Sequence, residues 1–414
     1  MSNVIKTTLG KITLSIFDGK HGDCVNQPGS GYYFISVKDL REYDIDYSNA
    51  REITPSDFAQ NYTRTKLENG DTIYANTGDT IGKSLFVQDN SLATKTSFQK
   101  SVAILKPNTE YVDPRYLYYI LKYETPRLRQ ASTGSGQKNL LLSTMREFEL
   151  SIHDKATQKR IVAVLGCIDD KIRYNNRIND NLQQQAALLY DYWFAQFNFP
   201  DANGMPYSST SGKMQWNNQL KREIPAAWSV SPLLDIVSWE SNSQPPKSEF
   251  IYEPKEGYVR FIQNRDYDSN AHKTYIPYTK NLSIVDRYDI LMDKYGDAGA
   301  VRYGISGAFN VALGKICVKD DNYREYVRSF LESEPIYTYL HNSCMASTRA
   351  SLSEANLSML YIAIPDKHTL LEYEKMVHTI RSSILKNNDE TEKLIELRDW
   401  LLPILMNGQA TVSD

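Results

Sequence analysis

The stretch Ile152–Gln196, IHDKATQKRIVAVLGCIDDKIRYNNRINDNLQQQAALLYDYWFAQ, decides the fold once it is set against Ile364–Gly408, IPDKHTLLEYEKMVHTIRSSILKNNDETEKLIELRDWLLPILMNG. The two align without a gap at an offset of 212, from 152 to 364. Ile152 meets Ile364, Asp154-Lys155 meets Asp366-Lys367, and Asn175-Asn176 meets Asn387-Asn388. The matches fall on one periodic stripe. In the first copy it runs Ile161, Leu165, Ile168, Ile172, Asn175, Asn179, Leu182, Ala186, Leu189, Trp193. In the second it runs Tyr373, Val377, Ile380, Ile384, Asn387, Thr391, Leu394, Arg398, Leu401, Leu405. Steps alternate between four and three, the 3.5-residue period of helices that bury a narrow seam against another helix. Gly166 and Pro403 are the sole interior breakers, so each segment predicts a helix of about 40 residues, roughly 60 Å long. A solitary helix would leave the seam wet, and the economical arrangement packs the two on each other. Both seams turn polar at the same place, Asn175/Asn179 and Asn387/Thr391. Such a layer either fixes register at a cost in stability or marks where the helices diverge into solvent.

The segments before the helices repeat more weakly. Gly70-Asp71-Thr72-Ile73 followed by Gly78-Asp79 matches Tyr288-Asp289-Ile290-Leu291 followed by Gly296-Asp297 at an offset of 218, from 71 to 289. Around them Tyr32–Val37, Val102–Leu105, Tyr258–Ile262 and Lys315–Val318 read as strands between turns, with short helices near Pro114–Lys122 and Tyr323–Glu332. Pro200–Lys213 is rich in turn residues and separates the copies. The chain therefore reads as α+β: a mixed α/β globule at 1–153, a long helix at 154–199, a linker at 200–213, a second globule at 214–365 and a second long helix at 366–408. The expectation is a pseudo-two-fold internal repeat whose helices pair as an antiparallel coiled coil.

With 414 residues, 41% of them hydrophobic, the core needs no metal or disulfide support. Cys24, Cys167, Cys317 and Cys344 form no CxxC, and the expectation is buried free thiols in a reducing cytoplasm. The N-terminus does not read as a signal peptide, and no apolar run is long enough to span a membrane. Net charge is −3; residues 1–150 carry 18 Lys/Arg against 17 Asp/Glu, and residues 213–363 carry 17 against 18. Charge alone does not mark a nucleic-acid binder: basic residues must cluster on folding, or partners must supply phosphate affinity.

Catalytic patterns are missing. Gly78-Asp79-Thr80-Ile81-Gly82-Lys83-Ser84 has three residues between its glycines where a phosphate loop needs four, and Leu85-Phe86-Val87 reads as strand rather than helix. Gln244-Pro245-Pro246-Lys247 lacks the acid or amide and the aromatic of a methyltransferase motif. Neither G-x-S-x-G nor H-E-x-x-H occurs. Asp154 and Asp366 are expected as helix N-caps or first-turn charges rather than parts of a nuclease site.

This order of parts resembles the specificity subunits of type I restriction–modification systems, over nearly the whole chain. Ile224-Pro225-Ala226-Ala227-Trp228 resembles the family's opening of the second half, and Gly70–Ile73 with Gly78 and Gly82-Lys83 its glycine-aspartate strand and turn. Gly134-Ser135-Gly136-Gln137-Lys138-Asn139-Leu140, leading through Ile152 to Gln158-Lys159-Arg160-Ile161, is similar to the segment that closes a recognition domain. The second copy departs from this: Ser347-Thr348-Arg349 lacks the glycines, Glu372 stands where Arg160 stands, and the family's proline pair is reduced to His153-Asp154 and Pro365-Asp366. The resemblance implies two target recognition domains, each reading half of a split double-stranded DNA target. It implies a non-catalytic cytoplasmic subunit of a prokaryotic cell, whose helices space the half-sites and dock two modification subunits. S-adenosylmethionine, ATP and magnesium would reside in those subunits and in the restriction subunits, with no cofactor or metal in this chain.

Base discrimination calls for Arg or Lys on guanine and Asn or Gln on adenine. Candidates in the first half are Lys20, His21, Lys38, Arg41, Arg64, Lys83, Gln137 and Lys138; in the second half they are Arg260, Gln263, Asn264, Arg265, His272, Lys273, Arg302 and Arg349. Gln263-Asn264-Arg265 concentrates three base-reading types behind a strand. Two rivals remain: a coiled-coil scaffold whose globules bind proteins, and an enzyme too divergent to recognise. Duplex binding and activity of the isolated chain discriminate among them.

Overall fold

A computed structural model of the chain describes residues 4–134, 138–210, 212–268, 272–345 and 351–410. The first part holds β1 (Val4–Thr8), β2 (Thr13–Asp18), β3 (Tyr33–Ile35), β4 (Arg51–Glu52), α1 (Pro55–Thr65), β5 (Thr72–Ala75), β6 (Ser84–Phe86), β7 (Thr96–Phe98), β8 (Val102–Pro107), α2 (Pro114–Gln130), α3 (Leu142–Glu147) and β9 (Glu149–His153). The long helix α4 (Lys155–Tyr190) follows and ends in a π-turn at Asp191–Ala195. The second part holds β10 (Met214–Asn217), β11 (Arg222–Pro225), β12 (Ser229–Pro232), α5 (Leu233–Ile236), β13 (Val237–Glu240), β14 (Tyr258–Ile262), β15 (Tyr275–Pro277), β16 (Ile284–Val285) and β17 (Ile290–Asp293). It continues with β18 (Val301–Arg302), β19 (Gly307–Phe309), β20 (Leu313–Val318), α6 (Arg324–Glu332), α7 (Glu334–Met345), α8 (Glu354–Leu357), β21 (Tyr361–Ile364) and the second long helix α9 (Lys367–Met406).

The chain divides into two compact units, Met1–Asn176 with Asp389–Asp414, and Arg177–Asn388. Each unit therefore owns half of each long helix. In the first, a four-stranded antiparallel sheet has the order β2-β8-β5-β6, and a smaller sheet has the order β4-β3-β7 with β3 and β7 parallel. In the second, the sheets run β13-β20-β17-β18 and β15-β14-β19-β16, with β14 and β19 parallel. Strand order and pairing sense match term by term, and β16 is an addition.

The weak sequence repeat marks equivalent structure. Asp71 and Asp289, each just ahead of the fully buried strand β5 or β17, accept the N–H three residues earlier, from Glu68 (2.8 Å) and Asp286 (2.9 Å). Each also pairs with a lysine on the neighbouring strand, Lys106 at 2.8 Å and Lys315 at 2.9 Å. Asp154 and Asp366 cap the long helices, accepting from the N–H of Thr157 and Thr369 at 3.0 Å, as their sequence context requires.

The ends of both seams are buried in the core of the unit to which they belong, while Leu182, Ile380, Asn387, Thr391 and Leu394 are half-buried. Ile161 and Leu165 join the first unit's core with Tyr116, Leu117, Leu405 and Met406. Ala186, Trp193, Tyr373 and Val377 join the second, with Trp228 and Tyr326. Within the first unit Asp169 meets Arg398, and Asn175 donates to Glu390 (2.9 Å) and Thr391 (3.3 Å). Within the second, Asn179 donates to Asn388 at 2.7 Å and accepts from Asn387 at 2.9 Å, and Trp193 lies 5.9 Å from Tyr373, centroid to centroid. Asn175 and Asn179 are buried, and each donates to the facing helix within its own unit.

One expectation needs correction. Cys24 and Cys344 are buried free thiols, but Cys317 is half-buried and Cys167 is exposed. Cys167 falls one residue before seam position Ile168, on the outward side of the helix. Within the 200–213 stretch, Tyr207 packs onto its unit: it stacks on Phe199 (4.8 Å between centroids), and Phe199 stacks on Trp228 (4.9 Å).

Candidate nucleic-acid interface

The smaller sheets end in the same device. In the first unit β3 leads into Ser36 and a 3₁₀ turn at Val37–Asp39. The Asp39 carboxylate turns back to accept from the Ser36 N–H (2.8 Å) and hydroxyl (2.7 Å). In the second unit β14 leads into Gln263 and a 3₁₀ turn at Asn264–Tyr267, and Asp266 accepts from the Gln263 N–H at 3.1 Å. Both aspartates are buried, and both preceding residues, Lys38 and Arg265, are exposed. Burial holds the Asp266 carboxyl above its usual range, despite the Gln263 N–H and the nearby Arg260 and Arg265.

Further cations surround each turn. Lys83 donates to the Val37 carbonyl at 3.2 Å, and burial together with the Arg41 guanidinium pushes its ammonium below the ordinary lysine value. Arg41 is largely exposed and pairs with Asp46 at 2.6 Å. Around the second turn, Arg260 lies 3.9 Å from Asp266, and Arg302 pairs with Asp293 at 2.8 Å and Asp297 at 3.4 Å beneath the Tyr267 ring.

The remaining candidates scatter. Lys20 pairs with Asp57 at 2.9 Å, while exposed His21 and half-exposed Arg64 share Asp18. Lys138 is exposed, and its carbonyl accepts from Gly78 at 2.7 Å. His272 is exposed and Lys273 half-buried. Of the group Gln263-Asn264-Arg265, the Gln263 amide donates to Thr274 at 2.9 Å and the Asn264 amide to buried Asp293 at 2.8 Å. Arg265 is the one of the three turned outward, its side chain 56% exposed. Gln137 and Arg349 lie outside the described residues. The glycine-lysine stretch is a 3₁₀ turn at Gly78–Thr80 leading into β6, and at Gly82, with φ +96°, a Cβ would collide with Thr125. Among the described residues no group of His, Cys, Asp and Glu could hold a metal ion, and no helix is long and apolar enough to cross a membrane.

Comparison with known proteins places this architecture. The sequence pattern of the type I restriction modification DNA specificity domain matches twice, over residues 20–184 and 225–397. The chain belongs to the type I restriction–modification DNA specificity family. It is a specificity subunit by that membership, and each match takes in one globule and much of the long helix that follows. The MjaIX specificity subunit of Methanocaldococcus jannaschii is 26% identical over 406 residues, 93% of this chain and 88% of its own length. The HindI specificity subunit of Haemophilus influenzae is 26% identical over 408 residues, covering 83% and 87%. The S subunit of a type I system from M. genitalium shares the fold, with TM-score 0.57 at 14% identity over 98% of this chain and 96% of that one.

The repeat Phe34-Ile35-Ser36-Val37-Lys38-Asp39 and Phe261-Ile262-Gln263-Asn264-Arg265-Asp266 escaped the sequence analysis. Its offset is 227, from 34 to 261, whereas the segments compared there run at 212 and 218. The shared Phe-Ile, then a base and an acid at the same spacing, was the available signal.

Proposed function

We propose that each globule, 1–153 and 214–365, reads one half of a bipartite double-stranded DNA target, and that the long helices form an antiparallel coiled-coil spacer. The observation that carries this is the duplication: both units repeat strand order, pairing sense and an exposed cation on a locked turn. Two copies of one recognition device on one chain suit a target with two parts. The reversed order of the helix contacts, Asn179 with Asn388 and Trp193 with Tyr373, supports antiparallel pairing. A helix of 36 residues spans about 54 Å, more than one turn of duplex at about 34 Å.

The chain acts in the cytoplasm of a prokaryotic cell and contributes recognition, not catalysis. Two modification subunits dock on the helices and hold S-adenosylmethionine, and restriction subunits supply ATP- and magnesium-dependent steps. The near-zero charge of each globule supports a division of labour in which the partners supply much of the phosphate attraction. The test is duplex binding by the purified chain with and without modification subunits. Weak binding alone and tight, sequence-selective binding in the complex is expected. Nanomolar selective binding by the chain alone at physiological salt overturns the division of labour, and no selective binding in either state overturns the reading.

A further inference from the structure

We infer that Lys38 and Arg265 are equivalent phosphate anchors, one per recognition unit, which set each unit's register on the duplex without reading sequence. The inference rests on the DNA-recognition reading above and assigns a role within it.

The equivalence is geometric. Phe34 pairs with Ser97 and Ile35 with Phe98 across β3–β7; Phe261 pairs with Ala308 and Ile262 with Phe309 across β14–β19, both parallel. The ladder continues identically one step further, with the Gln99 N–H donating to the Ile35 carbonyl (2.9 Å) and the Asn310 N–H to the Ile262 carbonyl (3.0 Å). The next residue, Ser36 or Gln263, is locked by an aspartate three positions on, and the basic residue stands just before that aspartate. The backbone of each cation is therefore fixed while its side chain reaches solvent. Lys38 makes no hydrogen bond or ion pair among the described residues. Among the described residues the Arg265 side chain has long contacts, 3.4 Å to Thr274 and 3.9 Å to Asp266.

The chemistry of the ligand follows from what varies. Around the cation the side chains differ: Ser36 against Gln263, Val37 against Asn264, Leu40 against Tyr267. Fold, lock and charge stay the same. A base reader changes with the base it reads, whereas the phosphodiester backbone is common to every half-site. Exchange of lysine for arginine keeps the charge and changes the shape of the donor, so what the two turns share is the cation alone. A phosphate accepts either. The aspartate lock resists the pull of the phosphate on the turn, so each cation acts as a fixed reference point.

The test uses the full chain assembled with its modification subunits. Affinity is measured from 50 to 200 mM salt on the cognate duplex and on duplexes with single changes in each half-site. The variants are Lys38→Gln, Arg265→Gln, the double change, and Lys38→Arg with Arg265→Lys as the charge-preserving control. Each neutralisation should lower affinity by one common factor on every duplex and reduce the log–log salt slope by about 0.9. The wild-type advantage over a single variant then shrinks about 3.5-fold across that salt range. The double variant should lose two such increments, and the charge-preserving control should keep the wild-type slope. Discrimination lost at one position of one half-site makes the residue a base reader and overturns the inference. An unchanged slope with wild-type affinity makes it an ordinary surface charge and also overturns it. Failure of the wild-type complex to bind any duplex selectively overturns the DNA-recognition reading itself.

Discussion

Replacing Arg398 tests how the helices are held together in the first unit. Its guanidinium sits on the seam of α9, 5% exposed, facing the Asp169 carboxylate of α4, which is 3% exposed. Arg398 reaches Asp169 at 3.3 Å, Glu42 at 2.8 Å and the Tyr43 hydroxyl, while Asp169 also accepts from Tyr119 at 2.6 Å and Tyr43 at 3.2 Å. Arg398→Met leaves Asp169 charged, buried and served by two hydroxyls. Stranding one partner of a buried ion pair costs about 3–5 kcal/mol, and the two hydroxyls place this case near the lower figure. Asp169→Asn alone leaves Arg398 with Glu42 and Asp399, so its cost is about 1–3 kcal/mol. With both changes two neutral side chains replace the pair, and the double variant should be about 1–3 kcal/mol more stable than the sum predicts. Urea unfolding at pH 7, followed by circular dichroism, measures all three. Additivity within about 0.5 kcal/mol would refute the reasoning, because it would mean that the pair does not act as a unit.

Two further outcomes follow from the second unit. In a Cys167→Ser background, cysteines at Ala186 and Ile380, which share the second unit's apolar cluster, should oxidise to a disulfide, since the contacts Asn179–Asn388 and Trp193–Tyr373 bracket that pair; a disulfide that forms instead between cysteines at Ala186 and Leu401 contradicts antiparallel pairing. Burial pushes the Glu374 carboxyl up to about 8 from 4.5, even though it accepts from the N–H of Tyr326 at 2.8 Å and Glu325 at 3.1 Å. The folded value exceeds the unfolded one, so the stabilisation is complete below about pH 4.5 and is lost as pH rises through 8. Relative to Glu374→Gln, the wild type should gain about 1–3 kcal/mol between pH 8 and pH 5 in thermal unfolding, and parallel pH profiles would contradict this.

The long helices were legible because a 3.5-residue seam persists over both segments, and Asp154 and Asp366 announce their starts. The weak match of Gly70–Ile73 with Tyr288–Leu291 falls on β5 and β17, and its aspartates, Asp71 and Asp289, prove to be used alike. Helix α1 was not: it lies in a polar stretch where Phe58 and Thr65 are its buried residues, so no apolar stripe marks it. The stack of Phe199, Tyr207 and Trp228 was hidden because the stretch between Pro200 and Lys213 carries the composition of a linker. The candidate DNA residues were chosen by type and by proximity to turns. The structure separates them by what already holds them: Asn264 and Arg302 are engaged with Asp293, whereas Lys38 and Arg265 project from turns that an aspartate fixes. That distinction depends on contacts such as Asn264–Asp293, 29 residues apart in sequence, which no local pattern encodes.

The central claim, that one chain reads a two-part target, is tested most directly by mapping methylated bases across the genome of cells that carry this subunit with its modification partner. The account predicts two short constant elements separated by a gap of fixed length, with both elements lost when the subunit is deleted. A single uninterrupted motif, or a methylation pattern unchanged by the deletion, would contradict it.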